Sequence, residues 1–149
     1  MTKPAMDSEP VTLAGACHCR AEQFTARLTQ GLASARRCTC SICRMRGAIA
    51  VTWAPADFEV IEGADTLATY RFGTMVADHH FCTCCGIYAH RKRRSNRNLL
   101  GVNVACLEGP SPFDFDQIPV NDGERHPSDN SGHVTCSAGI LRFEAASDA

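Results

Sequence analysis

The stretch 38-CTCSIC-43 places three cysteines, Cys38, Cys40 and Cys43, within six residues. Structural zinc sites take four protein ligands, whereas catalytic zinc sites take three and leave one coordination position open. Three thiols in one short segment therefore predict a catalytic zinc site whose fourth position is left for a substrate thiol or a water. We treat these three cysteines as the candidate catalytic group.

A second cysteine group lies in 82-CTCCG-86. The two-residue spacing between Cys82 and Cys85 allows one tight turn to direct both sulfurs at a single ion. Gly86 follows directly and tolerates the positive φ that such turns often need. Cys84 adds a third thiol inside the turn, so Cys84 or a histidine remains an alternative ligand.

The third group, 17-CHC-19, lies near the start of the chain. On an extended strand, one-residue spacing points Cys17 and Cys19 to the same face and His18 away from it. Each of these two pairs needs two further ligands, and together they predict a closed, structural zinc site that joins an N-terminal strand to a distant hairpin. Its four cysteines would be Cys17, Cys19, Cys82 and Cys85.

The overall composition favours metal binding in a reducing compartment. The chain has 149 residues, ten of them cysteines, and a net charge of −1. Cysteines of a cytoplasmic protein more often bind metal than form disulfides, and isolated Cys106 and Cys136 are better explained as small buried residues. The balanced charge predicts neither a nucleic-acid nor a membrane partner, and no apolar run is long enough for a membrane span.

The organisation along the chain predicts one mainly β domain. Residues 1–10 lack the order of a signal peptide and are expected to form a disordered leader, with cytoplasmic localisation. Residues 11–127 hold the cysteine groups, and 128–149 form a loop-rich end of the same domain. Alternating or β-branched runs predict the strands, and 112–118 predicts a short helix. The predicted strand segments are 21–28, 48–53, 57–63, 67–72, 75–82, 86–91 and 101–106.

The run 90-HRKRRSNR-97 concentrates five positive charges. It predicts either an anion-binding site or a charged strand end that protects a sheet edge. Among the histidines, His79 and His80 lie on opposite faces of a predicted strand, so at most one faces a metal site. His126 is a further candidate for lining a pocket.

With these motifs, the chain resembles the family of the glutathione-dependent formaldehyde-activating enzyme, which includes centromere protein V. The resemblance rests on 15-GACHCR-20, 38-CTCSICR-44, 81-FCTCCG-86 and 101-GVNVACLEG-109, and it covers about Val11 to Pro127. It implies a β-tent of small antiparallel sheets around two zinc ions per chain. In that family the first and third cysteine groups hold a structural zinc and the middle group holds the catalytic one.

The resemblance implies carbon–sulfur lyase chemistry on adducts of glutathione, or a similar small thiol, with an aldehyde. Two other classes of function remain open. One is a non-enzymatic zinc module that binds a protein or nucleic acid through residues 90–97 and fills the middle site with a fourth protein ligand. The other is a redox or metal-storage protein that uses the surplus thiols.

Overall fold

The computed structural model describes residues 9–132 and 134–147. The first eight residues of the predicted leader, and residues 133, 148 and 149 of the predicted C-terminal segment, lie outside this part of the chain. In the described residues the strands are β1 (Val11–Ala16), β2 (Gln23–Leu28), β3 (Arg37–Cys38), β4 (Ala50–Trp53), β5 (Phe58–Glu62), β6 (Leu67–Tyr70), β7 (Asp78–Cys82), β8 (Tyr88–Lys92), β9 (Leu100–Asn103), β10 (Gln117–Asn121) and β11 (Ser137–Arg142). One α-helix, α1 (Ser41–Arg46), accompanies them.

Three small sheets make up the fold, which confirms the prediction of a mainly β protein. Their strand orders are β1-β2-β5, β4-β9-β8-β7-β6 and β11-β10-β3. The strand pairs are antiparallel except for the short parallel pair of β3 with β10. The β7–β8 pair is the hairpin that the sequence predicts around the second cysteine group.

The core lies between the first two sheets. Along β2 the side chains of Phe24, Ala26 and Leu28 are buried, as their alternation predicts. They pack with Val51 and Val102, which are directly paired across β4 and β9, in one cluster. Burial of these apolar side chains supplies the main driving force for folding.

The third sheet connects the end of the chain to the middle cysteines. In register, Val120 and Asn121 of β10 lie beside Arg37 and Cys38 of β3. The backbone N–H of Thr39 donates to the Asn121 carbonyl at 3.0 Å. The middle cysteine segment is therefore held by a strand more than eighty residues further along the chain.

Several local predictions are wrong. The segment 112–118 contains a 3-10 turn, Pro112–Asp114, and the start of β10, in place of the expected helix. The strand predicted over 101–106 ends at Asn103, and Val104–Cys106 form a 3-10 turn because the Asn103 side chain accepts from the Ala105 N–H. The predicted loop-rich end includes β11. The remaining 3-10 helices of the described residues are Pro55–Asp57, Ala64–Thr66 and Pro127–Asp129.

Helices of the described chain are short. Among residues 9–132 and 134–147, none has the length and apolar character needed to cross a bilayer.

Candidate active site

Two hairpin loops bring four cysteines together. Cys17 and Cys19 lie in the loop between β1 and β2, Cys82 is the last residue of β7, and Cys85 lies in the turn between β7 and β8. The Sγ of Cys19 is 3.7 Å from that of Cys17 and 3.7 Å from that of Cys82. A tetrahedral zinc with Zn–S bonds of about 2.3 Å has sulfur–sulfur edges of about 3.8 Å, so these thiols fit such an ion.

The geometry of the first pair differs from the predicted extended strand. β1 ends at Ala16, and the chain turns so that Arg20 adopts a φ of 62° and donates its N–H to the Cys17 carbonyl. His18 is exposed. A tight turn, and not strand alternation, therefore brings the sulfurs of Cys17 and Cys19 together.

Backbone N–H groups support the sulfurs of this four-cysteine cluster. The N–H groups of Cys19 and Ile87 lower the pKa of Cys85 to about 6. The N–H of Glu22 donates to Cys17 Sγ at 3.4 Å. Gly86 has a φ of 76°, the positive value that its place after Cys85 predicts. The three backbone N–H donors favour the thiolate forms that a metal ion requires.

The middle cysteines form a second cluster around the start of α1. Cys38 ends β3, Cys40 caps the N-terminus of the helix, and Cys43 lies in its first turn. Their sulfurs lie within 4.8 Å of one another. Among the described residues, no fourth His, Cys, Asp or Glu joins this group, so it offers three donors where the first cluster offers four.

Gly123 forms part of the wall of the middle cluster and was not identified from the sequence. A Cβ at this position would lie 2.4 Å from Cys38 Sγ and 2.6 Å from Cys40 Cβ, closer than atoms can approach. The Gly123 N–H donates to Thr39 Oγ1 at 3.0 Å. The chain after β10 can thus lie against the thiols only because residue 123 has no side chain.

Arg91 is the charged residue closest to the middle thiols. Its Nη1 donates a hydrogen bond to Cys43 Sγ at 2.7 Å. Hydrogen bonds from Cys38 and Cys40, together with the charge and hydrogen bond of Arg91, hold the pKa of Cys43 far below its ordinary value. Cys43 is therefore a thiolate at neutral pH.

His79 lies beside this cluster in a defined neutral state. Arg46 Nη1 is 3.0 Å from His79 Nδ1, and because a guanidinium can only donate, Nδ1 accepts and the ring proton lies on Nε2. Burial, aided by the charges of Arg46 and Arg91, lowers the pKa of His79 to about 4. His80, on the other face of β7, contacts Thr69 and His90 instead.

Two cavities meet at the middle cluster. The larger, which we call the groove, has a volume of about 360 Å³, and its walls include all three middle cysteines, His79 and His126. The smaller, which we call the chamber, has a volume of about 70 Å³ and lies on the side of β3, β4 and β8. Both are lined by Cys38, Cys43, Arg91, Arg93 and Asn121.

The basic run 90–97 divides between the cavities and the surface. Arg91 and Arg93, alternate residues of one extended segment, line both cavities, whereas Lys92 between them is exposed. Arg97 is ion-paired with Asp78. The residues of this run that line both cavities are therefore alternate ones, a pattern that strand periodicity could have revealed.

The remaining cysteines lie outside both clusters. Cys84 is exposed, and Cys136 is half-buried. Cys106 is buried, and burial raises its pKa to about 12, which keeps it a protonated thiol.

Fold and site together define a mainly β domain with two cysteine clusters, each of which could hold a metal ion. The chain belongs to the glutathione-dependent formaldehyde-activating enzyme family, whose family model matches residues 12–117. It is also similar to a Rhodobacter sphaeroides protein of known crystal structure, with 51% sequence identity and a TM-score of 0.70; the match covers 72% of this chain and 98% of that one. The resemblance drawn from the cysteine motifs is confirmed, and membership of this family supports an enzymatic function related to glutathione and formaldehyde.

Proposed function

We propose that the protein is a zinc-dependent carbon–sulfur lyase that acts on adducts of glutathione, or a similar small thiol, with an aldehyde. The observation that carries this proposal is the contrast between the two clusters. Four sulfurs lie together in one, whereas the other has three sulfurs and borders a groove of about 360 Å³. Three protein ligands beside a ligand-sized cavity are typical of a catalytic metal site.

The donor chemistry favours zinc at both clusters. Thiolate-only donor sets select soft or borderline ions, and zinc is the one that requires no redox chemistry. Cys17, Cys19, Cys82 and Cys85 would hold the structural ion, and the middle cysteines would hold the catalytic one. When bound to the middle cysteines, zinc would hold the sulfur of a small thiol as its thiolate, because a coordinating thiol loses its proton.

The residues of the chain then orient the two parts of the adduct. Arg91 keeps Cys43 deprotonated and offsets part of the negative charge of three thiolates. His79, neutral with its proton on Nε2, offers a hydrogen-bond donor to an oxygen atom in the groove. In the cleavage direction the carbon–sulfur bond breaks, its electron pair stays on sulfur as the thiolate, and the hydroxyl proton passes to water as the carbonyl forms.

The charges of the groove suit a zwitterionic thiol. Arg93 and Arg94 line the groove, and so do Asp122 and Glu124. Glutathione carries one ammonium and two carboxylates, which complement a lining of both signs. Reduced thiols of this kind are abundant in the cytoplasm, where we propose that the protein acts.

The competing non-enzymatic module is less well supported. It requires a fourth protein ligand at the middle cluster, and the described residues provide none. It also requires the basic run to face a partner, whereas Arg91 and Arg93 line the cavities.

The experiment measures zinc content and glutathione binding together. The zinc-loaded protein is expected to hold two ions and to bind glutathione in calorimetry, and to accelerate the exchange between glutathione and S-hydroxymethylglutathione in exchange NMR. Cys40→Ser should lose one ion, the binding and the exchange. Cys84→Ser removes an exposed thiol outside both clusters and is the matched control. It should retain both ions, the glutathione binding and the exchange. Two zinc ions without binding or exchange would refute the proposal.

A further inference from the structure

Among the residues that the structure describes, the chamber beside the middle thiols is lined by cations and by no carboxylate. Its charged residues are Arg36, Arg37, Arg46, Arg91 and Arg93. The groove, in contrast, includes Asp122 and Glu124 in its lining. Formaldehyde, which is neutral and has two non-hydrogen atoms, makes no use of five guanidinium groups.

These guanidinium groups lack carboxylate partners. In the described part of the chain, none of the five forms an ion pair with Asp or Glu, although six other arginines do. Arg36 donates to the backbone carbonyls of Ala33 and Ala35, and Arg93 donates to Thr52 Oγ1 at 3.2 Å. Arg46 lies 4.0 Å from the ring centroid of Tyr88.

A buried polar group of the chamber has no hydrogen-bond partner among the described residues. It is the hydroxyl of Tyr88, a residue only 8% exposed. Arg37, which is half-buried on β3, also lines the chamber. Buried polar groups are rarely left unpaired in native proteins, so the Tyr88 hydroxyl beside these cations points to a ligand with acceptor oxygens.

The charge balance leads to the same class of ligand. Three thiolates and one divalent ion leave a single negative charge at the middle cluster, against five positive charges in the chamber wall. Burial and the nearby charge of Arg91 lower the pKa of Arg93, a sign that cations are crowded here. An anion in the chamber would relieve this crowding and form charge-assisted hydrogen bonds.

The size of the chamber limits that anion to a small molecule. A water molecule needs roughly 10–15 Å³ of such a cavity, so 70 Å³ holds about five non-hydrogen atoms. A two-carbon 2-oxo acid has five. The groove, five times larger, is the part of the site with room for a thiol of tripeptide size.

We infer that the carbonyl substrate is a short 2-oxo acid, whose carboxylate binds the arginines of the chamber while the thiol occupies the groove. This inference rests on the proposed function and names the second substrate of the same site. The middle cluster lies between the two cavities, so the carbonyl carbon and the thiol sulfur meet there. Arg37 and Arg93 act as specificity-determining residues.

The reaction balances without any further reactant. The sulfur of the thiol forms a bond to the carbonyl carbon of the 2-oxo acid, and the carbonyl π pair moves to its oxygen. That oxygen takes up the proton released by the thiol, which gives a 2-hydroxy-2-thio acid. The reverse step breaks the carbon–sulfur bond and returns both compounds, with no change in oxidation state.

The first measurement is binding to the full-length, zinc-loaded protein without any thiol. Glyoxylate is the anionic probe and glycolaldehyde is its neutral two-carbon counterpart, both titrated by calorimetry. Glyoxylate is expected to bind at least tenfold more tightly. Arg37→Gln and Arg93→Gln should each weaken glyoxylate binding at least tenfold, whereas Arg44→Gln, an exposed arginine outside both cavities, should change it less than twofold. Zinc content and thermal unfolding establish that each variant is folded.

The second measurement is thiol–carbonyl exchange in the presence of glutathione. The ratio of exchange rates for glyoxylate over glycolaldehyde should exceed ten and fall at least fivefold in Arg37→Gln. Equal binding of the two probes would overturn the inference. So would an Arg37→Gln variant that weakens glutathione binding as much as glyoxylate binding, because the arginines would then serve the carboxylates of the thiol. Arginine-dependent glyoxylate binding without exchange for any carbonyl would support the anion chamber and refute the proposed lyase chemistry.

Discussion

The guanidinium of Arg91 lies 2.7 Å from the sulfur of Cys43, and it is the closest contact between the basic run and the cysteine clusters. It connects β8, in the five-stranded sheet, to the short helix that carries two of the middle thiols. A charge-assisted hydrogen bond of this kind stabilises the thiolate over the thiol. Four predictions concern this site and its surroundings.

Removing the Arg91 guanidinium should weaken metal binding at the middle cluster. In Arg91→Gln the pKa of Cys43 rises toward its ordinary value, so protons compete more strongly with the ion. Loss of such a supporting contact typically lowers metal affinity about 10- to 100-fold. Competition with a chromogenic chelator at pH 7 would measure the zinc affinity of the weaker of the two sites. Lys92→Gln, which removes the exposed neighbouring charge, is the control and should leave both affinities unchanged.

The two clusters should respond differently to the loss of one thiol. Cys82→Ser removes a ligand of the four-sulfur cluster, and a structural zinc supplies about 10–16 kcal/mol, comparable to the whole stability of a domain. This variant is expected to lose its cooperative thermal transition. Cys40→Ser should keep a cooperative transition and lose one ion, as measured by calorimetry and elemental analysis. Equal destabilisation by both substitutions would contradict the assignment of separate structural and catalytic roles.

A methyl group at position 123 should damage the middle cluster. The added Cβ of Gly123→Ala would lie 2.4 Å from Cys38 Sγ and 2.7 Å from the backbone nitrogen of Cys40. The segment that carries these two cysteines must therefore move away from residue 123. We expect loss of one bound zinc and a stability decrease of about 1–3 kcal/mol, the usual cost of overpacking. Gly132→Ala provides the comparison, since its Cβ would meet the exposed Val134 side chain at 3.2 Å and Asn130 Oδ1 at 3.9 Å, and no backbone atom. Retention of both ions in Gly123→Ala would show that the middle cluster does not need the close approach of residue 123 to its thiols.

Acidification should destabilise the protein partly through His79. Its folded-state pKa of about 4 lies below the ordinary 6.5, so the unfolded chain binds the proton first. The stability due to neutral His79 is therefore complete above pH 6.5 and is lost as the pH falls toward 4. By pH 5 the loss amounts to about 2 kcal/mol, at about 1.4 kcal/mol per pH unit.

Urea unfolding of the wild type and His79→Gln at pH 7.5 and 5.0 would measure this contribution. The variant should show a smaller decrease in unfolding free energy between the two pH values, and the exposed His18→Gln should match the wild type. Ring titration by NMR gives an independent value. A His79 ring that protonates near pH 6.5 would contradict the prediction.

Alternating or β-branched runs predicted β2 and β4–β9, because burial on one face dictates such runs, but they did not predict β1, β3, β10 and β11. Along β2 the alternation of Phe24, Ala26 and Leu28 corresponds directly to buried positions. The six-residue helix α1 carries no such signal, because Cys43 is its one buried residue and its outer face is exposed. A pattern of hydrophobic residues cannot reveal a helix with a single buried position.

The cysteine groups could be predicted from the spacing of cysteines in the sequence. The residues that surround them in the structure could not be predicted in this way. Close spacing indicates which thiols can share an ion, and the structure places those thiols together. Gly123 acts through a contact with Cys38, and that proximity depends on the pairing of β3 with β10. The orientation of Arg91 and Arg93 was accessible in principle, because alternate residues of a strand share a face. That this face borders the two cavities depends on how the sheets pack.

The two clusters differ in the sequence distance between their cysteines, and therefore in when the ribosome completes each of them. Cys19 and Cys82 are separated by 63 positions, so the four-sulfur cluster closes a long loop, whereas the middle cysteines lie within six residues. As the chain leaves the ribosome, the three-sulfur group is complete well before its four-sulfur counterpart. An ion captured early by the local group is held by three sulfurs only, and loop closure delays the stronger site. Under the proposed function, loading of both clusters with zinc would therefore require exchange of the first ion, or arrival of a second, once Cys85 has emerged.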